Sequence, residues 1–212
     1  EHLLAAADAI AERFPTLPVT PVHADFTDRF AIPEAPGTAR RVVYFPGSTI
    51  GNFEPDAARR LLRWMADVAG PDGGLLIGFD LQKDPSILEA AYNDEGGVTA
   101  QFDLNLLVRM KRELDADVDI EQFEHRACYN AQEGRIESHL VSKSAQTIRI
   151  GEHQFSFEPD ESIHTENSYK HTIDGFVAIA ESQGWSRVQI WHDAKHWFAV
   201  GYFTRNGSDD SA

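Results

Sequence analysis

Residues 42–81 constrain the fold more than any other stretch. "VVYF" (42–45) is an unbroken apolar run, and "PGSTIGNF" (46–53) follows it with small and polar residues. Residues 55–69 then set Ala58, Leu61, Leu62, Met65 and Val68 on one helical stripe, "GPDGG" (70–74) ends that stripe, and "LLIGFDL" (75–81) is a second apolar run. Strand-length runs without alternation suit burial on both faces of a sheet. Strand, helix, strand in this order is the unit of a parallel sheet. Ligands of such sheets lie in the crevice beyond the carboxyl ends of the strands. Here that position holds Gly47, Ser48, Thr49, Gly51 and Asn52. Small residues let a ligand approach the backbone, so this loop is a candidate site.

The rest of the chain is arranged around this unit. It opens in an amphipathic pattern, Leu3, Leu4, Ala7, Ile10, Ala11 and Phe14, which Pro15 stops. Residues 17–26 read as an extended segment ending at Asp25 and Phe26, with two prolines that suit a sheet edge. A turn-rich connection (27–39) leads to the strand at 42–45. After Asp80 the character changes. Residues 84–94 and 98–116 have helical spacing, the second burying Leu106, Leu107, Met110 and Leu114 and turning Arg109, Lys111 and Arg112 to water. Short alternating runs at 123–130, 135–142, 146–150 and 153–158, separated by turns, are expected to form antiparallel hairpins. The end returns to the first pattern, with a helix closed by Gly184 and two strands joined by a turn at 193–195. The expected division is an α/β layer of residues 1–81 and 172–205, an inserted α+β unit of residues 82–171, and a flexible tail of residues 206–212.

Charge narrows the partners. Nineteen basic against 34 acidic residues give a net charge of −15, which repels phosphate backbones and anionic lipid. Neither nucleic acid nor membrane is expected as a partner. A single cysteine, Cys128, excludes an internal disulfide framework and reads as a small buried hydrophobe in a reducing, cytoplasmic setting. His192 and His196, with Asp193, straddle a turn without the spacing of helical metal ligands, so no metal site is expected there.

Parallel strands closed by an antiparallel carboxyl-terminal hairpin are the layout of a Rossmann-like class I methyltransferase sheet. Such a sheet begins with a strand, a glycine-rich turn and a second strand ending in an acid. These are absent here, so the amino-terminal strands of the sheet are expected upstream of Glu1; a gap in mid-sheet would leave backbone groups unpaired.

Six ordered blocks carry a closer likeness: "FPGSTIGNF", "DLQKD…LEAAYND", "GVTAQFDLNLLVRMKREL", "FEHRACYN", "RIESHLVS" and "IHTENSYK". Together they resemble the S-adenosylmethionine-dependent histidine N-alpha-methyltransferases of ergothioneine biosynthesis. The resemblance implies a methyltransferase domain with a second domain over the substrate, S-adenosylmethionine as cofactor, and histidine as the small-molecule substrate, methylated to the betaine hercynine. It places Asp25 and Phe26 at the adenine and Gly47 beside the cofactor. It places Asn52 at the amino-acid head group, Tyr92 at the substrate carboxylate, and Glu166 and Ser168 at the imidazole, with Asn167 contributing backbone between them. Ser138 stands where that family's pattern has methionine in the imidazole pocket, giving a smaller and more polar wall. Each residue also has a plainer reading: Asp25 as a turn cap, Asn52 as a helix cap, Tyr92 as a half-buried core residue, Glu166 and Ser168 as parts of a polar loop. Two alternatives stay open, a relative acting on another amino acid and a non-catalytic remnant that binds an amino acid.

Overall fold

The computed structural model describes residues 2–33 and 40–205. The tail expected at 206–212, and much of the turn-rich connection before Arg40, lie outside them. Helix α1 (His2–Arg13) buries none of its residues. Strand β1 (Val42–Phe45) runs parallel to β2 (Gly74–Asp80), with helix α2 (Pro55–Ala69) as the crossover. Pro55 opens α2 at a position where its missing N–H costs nothing, and Gly70 closes it at φ 74°. Leu61, Leu62, Met65, Ala66 and Ala69 pack from α2 onto Leu75, Ile77 and Phe79 of β2. Each large side chain so buried contributes about 1.5–3 kcal/mol.

The chain then leaves this layer. Helices α3 (Pro85–Tyr92) and α4 (Val98–Leu114) lead into β3 (Phe123–Asn130), β4 (Arg135–Ser142), the β5 (Gln146–Ile150) and β6 (His153–Phe157) hairpin, and β7 (Ser162–Tyr169). β3, β4 and β7 form an antiparallel sheet, and β5 pairs with β6 alone. Helix α5 (Ile173–Glu181), capped by the Thr172 hydroxyl accepting from the Gly175 amide (3.0 Å), returns to the first layer. Strands β8 (Trp185–His192) and β9 (Phe198–Arg205) form the closing hairpin, giving the order β1-β2-β9-β8 with β9 antiparallel to β2. This is the mixed sheet expected of a Rossmann-like class I methyltransferase. Among the described residues, no helix is long and apolar enough to cross a membrane.

Four expectations need correction. Residues 17–26 form no strand; Pro18 and Pro21 have no N–H to donate, and the backbone bonds there are local turns. β1 is not buried on both faces, since Val42 is 48% and Tyr44 67% exposed and its outer edge has no partner among the described residues. In α4 the buried face centres on Asp103 and Leu107, leaving Leu106 and Leu114 exposed. Asp103 turns inward with Leu107, its carboxylate pairing with His125 of β3 at 2.7 Å. Cys128 is exposed rather than buried, because the alternation of β3 puts Ala127 inward.

Candidate active site

The loop after β1 is shaped first by its own protein. Gly47 (φ 66°) carries its carbonyl over β2, where a Cβ at Gly78 would lie 2.5 Å from the Gly47 oxygen. A Cβ at Gly51 would lie 2.8 Å from the Tyr169 carbonyl oxygen. The Asp80 amide donates to Ser48 Oγ at 3.0 Å. The small residues therefore seat the loop on the ends of β2 and β7, a different reason from the ligand approach expected of them. Seated this way, the loop presents Asn52 to a cleft of about 280 Å³ shared with His164, Thr165, Glu166 and Asn167. Asn52 is exposed, and it is Glu54 that stands at the amino-terminal cap of α2.

Strand β7 forms the facing wall, and its strand character was missed in the sequence. Ser138 pairs with Glu166 and His139 with His164, so Thr165 is an extra residue, a β-bulge whose hydroxyl donates to the Ser138 carbonyl (3.0 Å). After the bulge, Glu166 and Ser168 share one face, and Asn167 points to the other. There the Asn167 amide donates to Glu54 Oε1 (2.8 Å), which leaves its oxygen to accept from His164 Nε2 (2.8 Å). Ser138 is buried directly opposite Glu166. Burial, then the Asp103 carboxylate, pushes the Glu166 carboxyl above its usual range, against a smaller opposing pull from Lys170. Among the described residues, the hydrogen bond made to Glu166 is to its backbone carbonyl, from His164 (3.2 Å), so its carboxylate is open to a donor.

Tyr92 and Ser168, 76 residues apart, meet at 2.8 Å, the tyrosine hydroxyl donating. A role for Tyr92 at a substrate carboxylate competes with this bond for the same proton. Lys170, which sequence reading passed over, donates to both hydroxyls, at 2.8 Å to Tyr92 and 2.7 Å to Ser168, and pairs with Asp80 at 3.1 Å. Tyr92 is held from behind. His125 Nε2 donates to the Tyr92 carbonyl (2.9 Å) while Nδ1 faces Asp103 (2.7 Å). The next residue, Asn93, bonds both the amide and the carbonyl of Ala127 at 2.9 Å, and Glu89 accepts from the Tyr129 amide. These side chains occupy the free edge of β3 as a neighbouring strand would.

On the opposite side, Phe26 reaches the carboxyl end of β1, its ring edge-on to Phe45 (5.9 Å) and Phe53 (6.2 Å). Asp25 caps a turn, Oδ1 accepting from the Thr27 hydroxyl (2.6 Å) and amide (2.9 Å), which hold its carboxyl below the usual range. The structure thus brings Asn52, Glu166 and Asn167 to one cleft and Tyr92 to Ser168, and it puts Asp25, Phe26 and Gly47 around the end of β1. His192 and His196 stack on each other (3.8 Å) at the far hairpin. Among the described residues one group of potential metal ligands converges, Cys128, Glu137 and His139. Glu137 is already bonded there by Arg135 (2.8 Å) and Asn130 (3.0 Å).

The family model described as histidine-specific methyltransferase, SAM-dependent, matches residues 1–205. The chain belongs to this family. Histidine N-alpha-methyltransferase of Mycolicibacterium smegmatis is 36% identical over 205 residues, covering 96% of this chain and 63% of that protein. The protein of the same name from Mycobacterium tuberculosis is 38% identical over 193 residues, covering 90% and 60%. Ergothioneine biosynthesis protein 1 of Schizosaccharomyces pombe is 28% identical over 146 residues, covering 68% and 18%. The chain thus spans about three fifths of the length of the two bacterial relatives.

The histidine-specific methyltransferase family to which the chain belongs is described as S-adenosylmethionine-dependent. Asp25 has a second carboxylate oxygen beyond the one Thr27 bonds. Phe26, Phe45 and Phe53 offer apolar ring surface beside it.

Proposed function

We propose that this methyltransferase transfers methyl groups from S-adenosylmethionine to the alpha-amine of L-histidine, ending at the trimethylated betaine hercynine. The observation that carries this reading is the cleft in which Asn52, from the loop after β1, meets Glu166 of β7. An amide offers a donor and an acceptor together, which suits the amine and carboxylate of a free amino acid. Glu166 takes a ring N–H of the imidazole, and Ser168 meets the other ring nitrogen. Ser138 and the Thr165 bulge set the depth of that pocket, and residues 82–171 act as the unit that covers the substrate. Asp25, Phe26 and Gly47 hold the cofactor, which supplies an electrophilic methyl group on a sulfonium. The neutral amine would form its N–C bond as the sulfonium's C–S bond breaks, releasing S-adenosylhomocysteine, and the nitrogen would lose one proton between rounds and none after the third. Water at the exposed Asn52 side of the cleft, or the Tyr92 hydroxyl, takes that proton. What the protein contributes is alignment of two reactants, an entropic advantage that can be large.

Mass spectrometry of histidine incubated with the protein and S-adenosylmethionine is expected to show successive gain of three methyl groups. Histidine returned unmodified overturns the reading. Calorimetry with S-adenosylhomocysteine and histidine is expected to show each ligand strengthening the other, where a non-catalytic remnant would give no cofactor heat.

Ser138 favours a second reading. A small side chain buried opposite Glu166 leaves room for a ring bulkier than imidazole. The same incubation with other aromatic amino acids separates the two.

A further inference from the structure

Lys170 is fully buried, and two of the groups it touches, Tyr92 and Ser168, are ones the resemblance places at the substrate. Its ammonium has three donors and no acceptor, and all three are spent: on the Tyr92 hydroxyl (2.8 Å), Ser168 Oγ (2.7 Å) and Asp80 Oδ2 (3.1 Å). Both hydroxyl oxygens must therefore act as acceptors toward it. Tyr92 gives its own proton to Ser168. Ser168 Oγ then accepts two hydrogen bonds, which fills its acceptor capacity. Its remaining proton has no acceptor among the described residues. Two residues before it, on the same face of β7, the Glu166 carboxylate can only accept when ionised.

We propose that Lys170 is a positioning residue that fixes the polarity of the substrate wall, making Ser168 a donor beside the acceptor Glu166. The inference rests on the histidine reading of this site. A wall of one donor and one acceptor fits a ring carrying one N–H and one bare nitrogen, the neutral imidazole. Imidazolium has two N–H groups and leaves the Ser168 proton facing another proton. A ring with C–H in place of the bare nitrogen leaves that proton unpaired, and unpaired buried donors are what give polar sites their discrimination. Without the ammonium, Ser168 regains a lone pair and Tyr92 can accept its proton, so the penalty lapses.

The test uses histidine and the two pyrrolylalanines, pyrrol-2-yl and pyrrol-3-yl, which keep one ring N–H and replace the bare nitrogen by C–H. The wild-type protein is expected to bind histidine about tenfold or more tighter than either analogue. In Lys170→Met this ratio is expected to narrow to about threefold, whereas a merely structural lysine would weaken all three ligands together and leave the ratio unchanged. Should Lys170→Met fail to fold, the wild-type protein still decides. With ring-labelled ¹⁵N-histidine bound near pH 6.5, about the value where free imidazole is half protonated, the spectrum is expected to show one protonated and one bare ring nitrogen. Two protonated nitrogens, or an unchanged ratio in the variant, overturn the role of Lys170 alone. No saturable histidine binding to the wild-type protein overturns this inference together with the proposed substrate.

Discussion

His171 makes the fold itself sensitive to acid. Burial, then the neighbouring Lys170 charge, lowers its pKa to about 4, only partly offset by Asp80, and its Nε2 has no partner among the described residues. The unfolded chain takes up this proton near pH 6.5 while the folded one resists it until about 4. Between those values the unfolded state binds more protons, so stability falls as pH falls, by up to about 3 kcal/mol. Above pH 6.5 the contribution is fully present, and below 4 it is gone. Urea titrations at pH 7.5 and pH 5 are expected to differ accordingly, and His171→Phe is expected to flatten that slope. The site residues make a separate prediction. Glu166→Gln removes the charged acceptor and Asn52→Ala the head-group amide, and each is expected to weaken histidine binding by about 1–3 kcal/mol, about five- to 150-fold, with the melting temperature little changed. Calorimetry reads both.

At the level of elements, the parallel unit from β1 to β2 was legible because its burial is written as uninterrupted apolar runs around a single helical stripe. β7 was not. Its inward positions after Ile163 are Glu166 and Ser168, both polar, and the Thr165 bulge breaks the two-residue period by which a strand is recognised. The rotation of α4 was hidden for a similar reason, since an aspartate reads as an inward residue only once His125 is known to stand opposite. Lys170 gave no signal at all, because one lysine after a tyrosine says nothing of three partners drawn from β2, α3 and β7. The residues that resemblance supplied, Asn52 and Glu166 among them, do converge in space, although periodicity alone would have left them in loops. The loop after β1 carries its own test. Gly78→Ala sets a methyl group against the Gly47 carbonyl and the Phe198 ring, and Gly51→Ala sets one against Tyr169. Each is expected to cost about 1–3 kcal/mol in chemical denaturation, and Gly51→Ala is expected to disturb Asn52 and histidine affinity as well.

Across the whole molecule the apolar residues fall into separate interiors. One is built from residues 43–81 and 173–203, and the others lie wholly within residues 88–163. Between them run Glu54 with Asn167 (2.8 Å) and Tyr169 (2.6 Å), Arg135 with Glu54 (3.3 Å), and Lys170 with Asp80 (3.1 Å). Native-state hydrogen exchange is expected to show β3 and β4 opening as a unit with its own free energy, distinct from β2 and β9. A single shared opening energy for all four strands would contradict separate interiors. A seam of this kind can be wetted without stripping either interior of its contacts, because water replaces what the side chains give up. Under the proposed chemistry, such a seam lets residues 82–171 part from the sheet at small cost, a way out for a permanently charged product that the packed layers never have to provide.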